Sequence, residues 1–483
     1  MTDALSQLPD GLVVVVKQDC PTCQLVVPVL GEIEASGEVL TIVSQDDPDF
    51  PEGLEALDDR ELGISWRLGV QAVPTLYRIS DGEAGAQGVG WNREEWRRLT
   101  GLEDLGKDLP EYRPGCGSRS VEPGMEDRLK RRYEGSRLQS REVRLGSAED
   151  AVEACFSRGW TDGLPVVPPT PERVDAMLSG TTRAGDEVVA LVPPDFAACT
   201  VEKIAVNAVM AGCQPEYLPV VITAVEAACT DEFNIHGLAA TTMSMGPVVI
   251  VNGPISRQIG MNSGMNALGQ GNRANATIGR ALQLVIRNVG GARPGEVDRA
   301  TFGHPGKYTF CFAEDEEGSP WDSLASERGI AEGASALTLF AGDGPHVVVD
   351  QISRRPESLA RSLAGSLRAM IHPKLALGFD ALVAVSPEHG RVFRAAGWSK
   401  QRLREEILEI LTIPREEMIR GAGDCDEGIP ETVTSPFIPK FQPDGLWFVH
   451  VGGPAGMFSA VIGGWVRGAG GTQPVTRQID GNG

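Results

Sequence analysis

Basic residues are in short supply in this chain of 483 residues: 44 Lys and Arg stand against 66 Asp and Glu, a formal net charge of -22. So acidic a surface repels phosphate backbones and anionic headgroups, so neither nucleic acid nor a membrane is expected as a partner. No apolar run reaches the roughly 18 residues needed to cross a bilayer. Residues 1–10 lack both a basic n-region and an apolar h-region, so the cytoplasm is the expected compartment. Nine cysteines, an odd number, fit a reducing compartment in which most thiols pack as core residues. The main glycine loop is followed by no G-K-[ST] and contains no clean G-x-G-x-x-G. No second Cys or His pair stands at zinc spacing from Cys20 and Cys23. No metal and no cofactor is predicted.

What is present begins with enough apolar residues, 41%, to fill several cores, and with length for two to four domains. The apolar run 12–16 enters Asp19-Cys20-Pro21-Thr22-Cys23 and leaves as the segment 24–35. A strand that passes through C-x-x-C into a helix sets the first thiol at the helix N-terminus, where free amides and the dipole favour thiolate. Cys20 is therefore the expected nucleophile, titrating below the roughly 8.5 of a free thiol. Cys23, one turn on, can attack a mixed disulfide at Cys20, which makes the pair a two-electron couple.

Farther along stands Ala72-Val73-Pro74-Thr75-Leu76, and Pro28 lies five residues past the second cysteine. With the C-x-x-C these features resemble thioredoxin over about residues 1–103. The resemblance implies a thioredoxin-like fold, a cis-proline at Pro74 packed on the dithiol, and a helix kinked at Pro28. Asp19 stands where that family usually has Trp, and Val14 where it has a buried acid, so the proton of Cys23 must use another group or water.

Residues 104–146 read as a linker with a charged helix. Within it Cys116 lies between Gly115 and Gly117, open to close approach, with Arg113 and Arg119 near enough in sequence to favour its thiolate. It is either the exchange partner of Cys20 or an exposed loop thiol with no role. From 147 to 483 the pattern predicts one large α/β domain. Strand 247–251, the glycine loop 260–271 and a helix to Asn288 form an anion-binding arrangement in which Asn252, Asn272, Arg273, Asn275 and Arg280 would hold a small anionic substrate. The alternative is a tight loop whose Asn side chains cap backbone. His389 follows strand 381–386, a position where α/β folds bind ligands, or is a hydrogen-bonded structural residue. The acids at 314–317 read as a metal or acid/base cluster or as a solvated loop. Cys199, Cys213 and Cys229 read as packing residues, and 452–465 as a second glycine loop.

Segments 160–169, 272–280, 387–399 and 452–465 resemble a bacterial family near the (seleno)proteins named for a selenocysteine-or-cysteine-Gly-Ser-Cys (UGSC) motif. Cys116-Gly117-Ser118 matches part of that motif, with Arg119 in place of its last cysteine. The resemblance implies thiol or selenol attack on a small molecule, with electrons returned by a thioredoxin-like protein. The expected function is thus a thiol-dependent oxidoreductase in which Cys20 and Cys23 reduce an adduct formed at Cys116, or at the runner-up Cys425. A thioredoxin reductase or a low-molecular-weight thiol is the expected electron source, and a homo-oligomer is compatible. The alternatives are a redox-sensing adaptor, or a hydrolase or lyase using Glu314, Glu316 or His389.

Overall fold

The computed structural model describes residues 8–480 except 81, 124, 135–137, 142, 144, 147, 148, 374, 419, 423, 424 and 428–433. Side chains at 127, 128, 130, 131, 134, 418, 420–422 and 425–427 also lie outside the description. The chain is mixed α/β and divides into two compact units, Met1–Arg137 and Leu138–Gly483. Among the described residues no helix is long and apolar enough to cross a membrane.

In the first unit the apolar run becomes strand Gly11–Val16, and Leu12 to Val16 are fully buried. A strand without polar alternation must be covered on both faces, and this one lies in the middle of its sheet. It pairs in parallel with Leu40–Ser44, which pairs in parallel with Ala56–Asp58. On its other side Thr75–Ser80 runs antiparallel, followed by antiparallel Glu83–Val89. Helix Pro21–Ala35 contributes Val26, Val29, Leu30 and Ile33 to the core, and helix Arg93–Thr100 contributes Trp96 and Leu99.

The expected linker does not begin at 104. Leu105 is buried, the indole of Trp91 donates to the Pro110 carbonyl, and Tyr112–Arg113 pairs with Trp91–Asn92. Farther on, helix Met125–Glu134 brings the Tyr133 hydroxyl to the Glu61 carbonyl at 2.7 Å. The boundary lies after residue 137 because the polar, turn-rich segment is held by backbone pairing, which composition does not reveal.

The second unit is built on an eight-stranded sheet. Its main path runs Cys311–Ala313, Gly246–Asn252, Ala336–Gly342, Phe458–Val466, Phe379–Val385 and Leu446–His450. His346–Val349 and Val475–Gln478 add to it from the side. Side-chain alternation divides the core: Val249 and Val251 pack with helices Val201–Ala211, Leu218–Ala228 and Arg273–Asn288, while Val248 and Ile250 pack with Phe340, Leu382 and Ile462. The expected α/β alternation thus yields a mixed sheet, with parallel pairs only at 246–252 with 311–313 and at 379–385 with 446–450 among its described pairings.

The stretch read as a second glycine loop is divided. Residues 452–456 are loop, but Phe458–Val466 is a buried strand. A Cβ on Gly464 would stand 2.7 Å from the Asp380 carbonyl oxygen, so glycine there lets two strands and the Phe340 ring close together.

Candidate functional site

Pro21 occupies the first helical position, where its missing N–H costs nothing, and this leaves Cys20 as the N-cap. Its Sγ accepts from the Cys23 amide at 3.3 Å and lies 3.4 Å from the Val73 carbonyl, to which the thiol donates. The Val73–Pro74 peptide is cis, and Thr75 Oγ1 donates to the Ala72 carbonyl at 2.7 Å. The sequence spacing of C-x-x-C and Val-Pro-Thr therefore meets in one place.

Cys116 meets them there. Ala72–Val73 and Cys116–Gly117 form an antiparallel pair with Val73 opposite Cys116. Thr22 Oγ1 donates to the Pro114 carbonyl at 2.8 Å, the Ser118 amide to the Gln71 carbonyl at 3.0 Å, and Gln45 Nε2 to Ser118 Oγ at 2.8 Å. Close approach depends on two glycines. A Cβ on Gly115 would lie 2.9 Å from the Val73 oxygen, and one on Gly90, at φ +70°, would lie 2.6 Å from the Gly115 nitrogen. Under this segment Cys20 and Cys23 have no exposed surface, whereas Cys116 is half-buried.

The three sulfurs differ in acidity. Hydrogen bonding from the Cys23 thiol, then from the Cys116 thiol and the Cys23 and Thr22 amides, outweighs burial and lowers Cys20 to about 5. Burial, reinforced by the neighbouring Cys20, pushes Cys23 far up, so it holds its proton. Cys116 is also raised, by burial and then by its hydrogen bond to Cys20, with the Lys17 charge acting in the other direction. The cation beside this thiol is thus Lys17, whose ammonium pairs with Asp19 at 3.1 Å, not Arg113 or Arg119. Arg119 donates instead to the Gln45 carbonyl at 3.0 Å. Sequence reading missed Lys17 and Gln45; a cation three residues before the first cysteine was the available signal for Lys17.

In the second unit the predicted anion clamp is occupied by the protein itself. Arg280 makes two 2.8 Å contacts with the Asp162 carboxylate and donates to the Pro165 carbonyl, and Arg273 Nε donates to the Gly212 carbonyl. Asn272 Oδ1 caps the Asn275 amide at 3.0 Å, and Asn275 Nδ2 donates to the carbonyls of Asn262 and Ala267. These asparagines stitch the glycine loop to its helix. Asn252 Nδ2 donates to Glu314 and Glu316, and its Oδ1 is buried without a partner among the described residues. Glu314 is not a solvated acid: it is fully buried, 3.8 Å from Lys400, and accepts from the Leu324 amide. His389 is buried between Ser459 Oγ at 2.7 Å and the Asp350 carbonyl at 3.1 Å, and burial lowers its pKa. Both ring nitrogens are engaged, which leaves it none for a ligand. Burial raises Cys199, Cys213 and Cys229 to about 12, as suits packing residues. The side chain of Cys425 lies outside the described residues.

No family model matches this chain and no curated protein matches it, so function is argued from geometry.

Proposed function

We propose that the protein is a thiol-dependent oxidoreductase whose first unit is a thioredoxin-like dithiol module, reducing a small, anionic disulfide through Cys116. The observation that carries this reading is Cys116 set directly opposite Val73 on a paired strand, with the Cys20 sulfur 3.4 Å from the Val73 carbonyl oxygen. The sheet order, the dithiol at a helix N-terminus and the cis Val73–Pro74 bond beside it support the thioredoxin-like part.

In the reaction the Cys116 thiol, the one with exposed surface, attacks the substrate disulfide and forms a mixed disulfide, and its proton passes to the substrate thiolate it displaces. The Cys20 thiolate attacks the Cys116 sulfur and releases the second substrate thiolate. Cys23 then gives up its proton and attacks Cys20, forming the Cys20–Cys23 disulfide and returning Cys116 as a thiol. Two electrons have passed from the dithiol to the substrate. A thioredoxin reductase or a low-molecular-weight thiol supplies two more to restore the dithiol.

Mild oxidation of the Cys23→Ser chain, followed by peptide mapping, tests this. A Cys20–Cys116 disulfide is expected, and the Cys116→Ser chain should lose turnover while its Cys20–Cys23 couple still forms and is reduced. Full turnover without Cys116 would eliminate the route.

A further inference from the structure

Helix Arg273–Asn288 presents Gln283 and Arg287, one turn apart, to a cavity of about 570 Å³ wholly within the second unit. That volume suits a small organic molecule. Two carboxylates line it, and each already has a cation: Asp162 holds Arg280 at 2.8 Å, and Asp298 holds Lys307 at 2.7 Å. Arg287 has no acid against it among the described residues, and its Nε is buried without a hydrogen-bond partner. Its place in the last helical turn suits a cation but does not explain a buried unpaired donor.

One more nitrogen on the lining is in the same condition. Gln283 Nε2 is buried and has no partner among the described residues. At His304, Nδ1 accepts from the Gly306 amide at 3.2 Å, which puts the ring proton on Nε2. Burial and then Lys307 hold that ring neutral, against the Gly342 carbonyl. The rest of the wall includes Ile235, Leu238, Met245 and Ile286, with the ring of Phe302 exposed. A guanidinium with a neutral amide donor one turn away, on a cavity walled in part by apolar side chains, calls for an acceptor-rich anionic group on an apolar body.

We infer that this cavity binds an organic monocarboxylate with a compact apolar body, its carboxylate on Arg287 and Gln283. The inference is independent of the thiol chemistry above, and binding alone tests it. Phenylacetate titrated calorimetrically into the full chain should saturate one site, and the neutral phenylacetamide should bind at least about tenfold more weakly, as expected for loss of a charged hydrogen-bond acceptor. Arg287→Gln should cost about tenfold, and Gln283→Leu a few-fold, in phenylacetate affinity. If Arg287→Gln does not fold, Gln283→Leu and the phenylacetamide comparison decide. Absence of saturation, equal affinity for the amide, unchanged affinity in the variants, or inorganic phosphate binding as tightly as phenylacetate would each overturn the assignment. Repeating the titration in the Cys20→Ser chain should give the same affinity, so failure of the thiol chemistry and failure of this site are told apart.

Discussion

Cys20 reaches a pKa of about 5 chiefly through two neighbouring thiols and two backbone amides. Cys116→Ala removes one of those donors, and the Cys20 pKa, followed by thiolate ultraviolet absorbance, should rise by about one unit or more, whereas Cys116→Ser keeps a hydroxyl donor and should move it less. The shift also links acidity to folding. A group whose pKa falls from 9.0 unfolded to about 5 folded contributes its full stability above pH 9.0 and loses it as pH drops through 5. The urea midpoint of the reduced protein should therefore fall over that window, and Cys20→Ala should lack that part of the slope. An unchanged slope would mean that the sulfur is not ionised in the folded chain. The placement of Cys20 at a helix N-terminus with Cys23 one turn on was legible because it follows from local spacing. Arg287 and Gln283 were not, since an unpaired donor is defined by the absence of neighbours that only the fold brings near. Arg280 shows the converse: its residue type suggested an anion clamp, but Asp162, 118 residues away in sequence, already holds it.

At the scale of elements, the strand pair of Val73 and Cys116 depends on Gly115 having no side chain. Gly115→Val should displace this segment, destabilise the first unit by about 1–3 kcal/mol and make Cys20 alkylate faster, because its covering is gone. Alkylation no faster than in the parent would show that the segment does not shield Cys20. Helices and buried strands were readable from periodicity: strand 247–251 appears as Gly246–Asn252, and the helix to Asn288 as Arg273–Asn288. The strand Phe458–Val466 was not, because paired glycines are the usual mark of a turn. Here they serve close packing between strands, which no local signal distinguishes.

For the whole molecule, the division after residue 137 carries its own test. A chain ending at residue 103 lacks both the pairing of Tyr112–Arg113 and that of Cys116–Gly117, so it should melt lower than one ending at 137 and show a higher Cys20 pKa. Equal melting and equal pKa would put the boundary back at 103. The α/β class was legible in the alternation of patterns, whereas the mixed strand directions were not, since parallel and antiparallel neighbours can bury the same apolar runs. A thiol fastened to the strand beside Val73 cannot diffuse away from Cys20, and tethering of this kind sets an effective concentration on the order of millimolar or higher. A thiol from the medium must exceed that level before it can hold Cys20 as a mixed disulfide. On the proposed reading the chain carries its own resolving partner, and an adduct formed at Cys20 should be ejected from within, by whichever of Cys23 and Cys116 reaches the sulfur first.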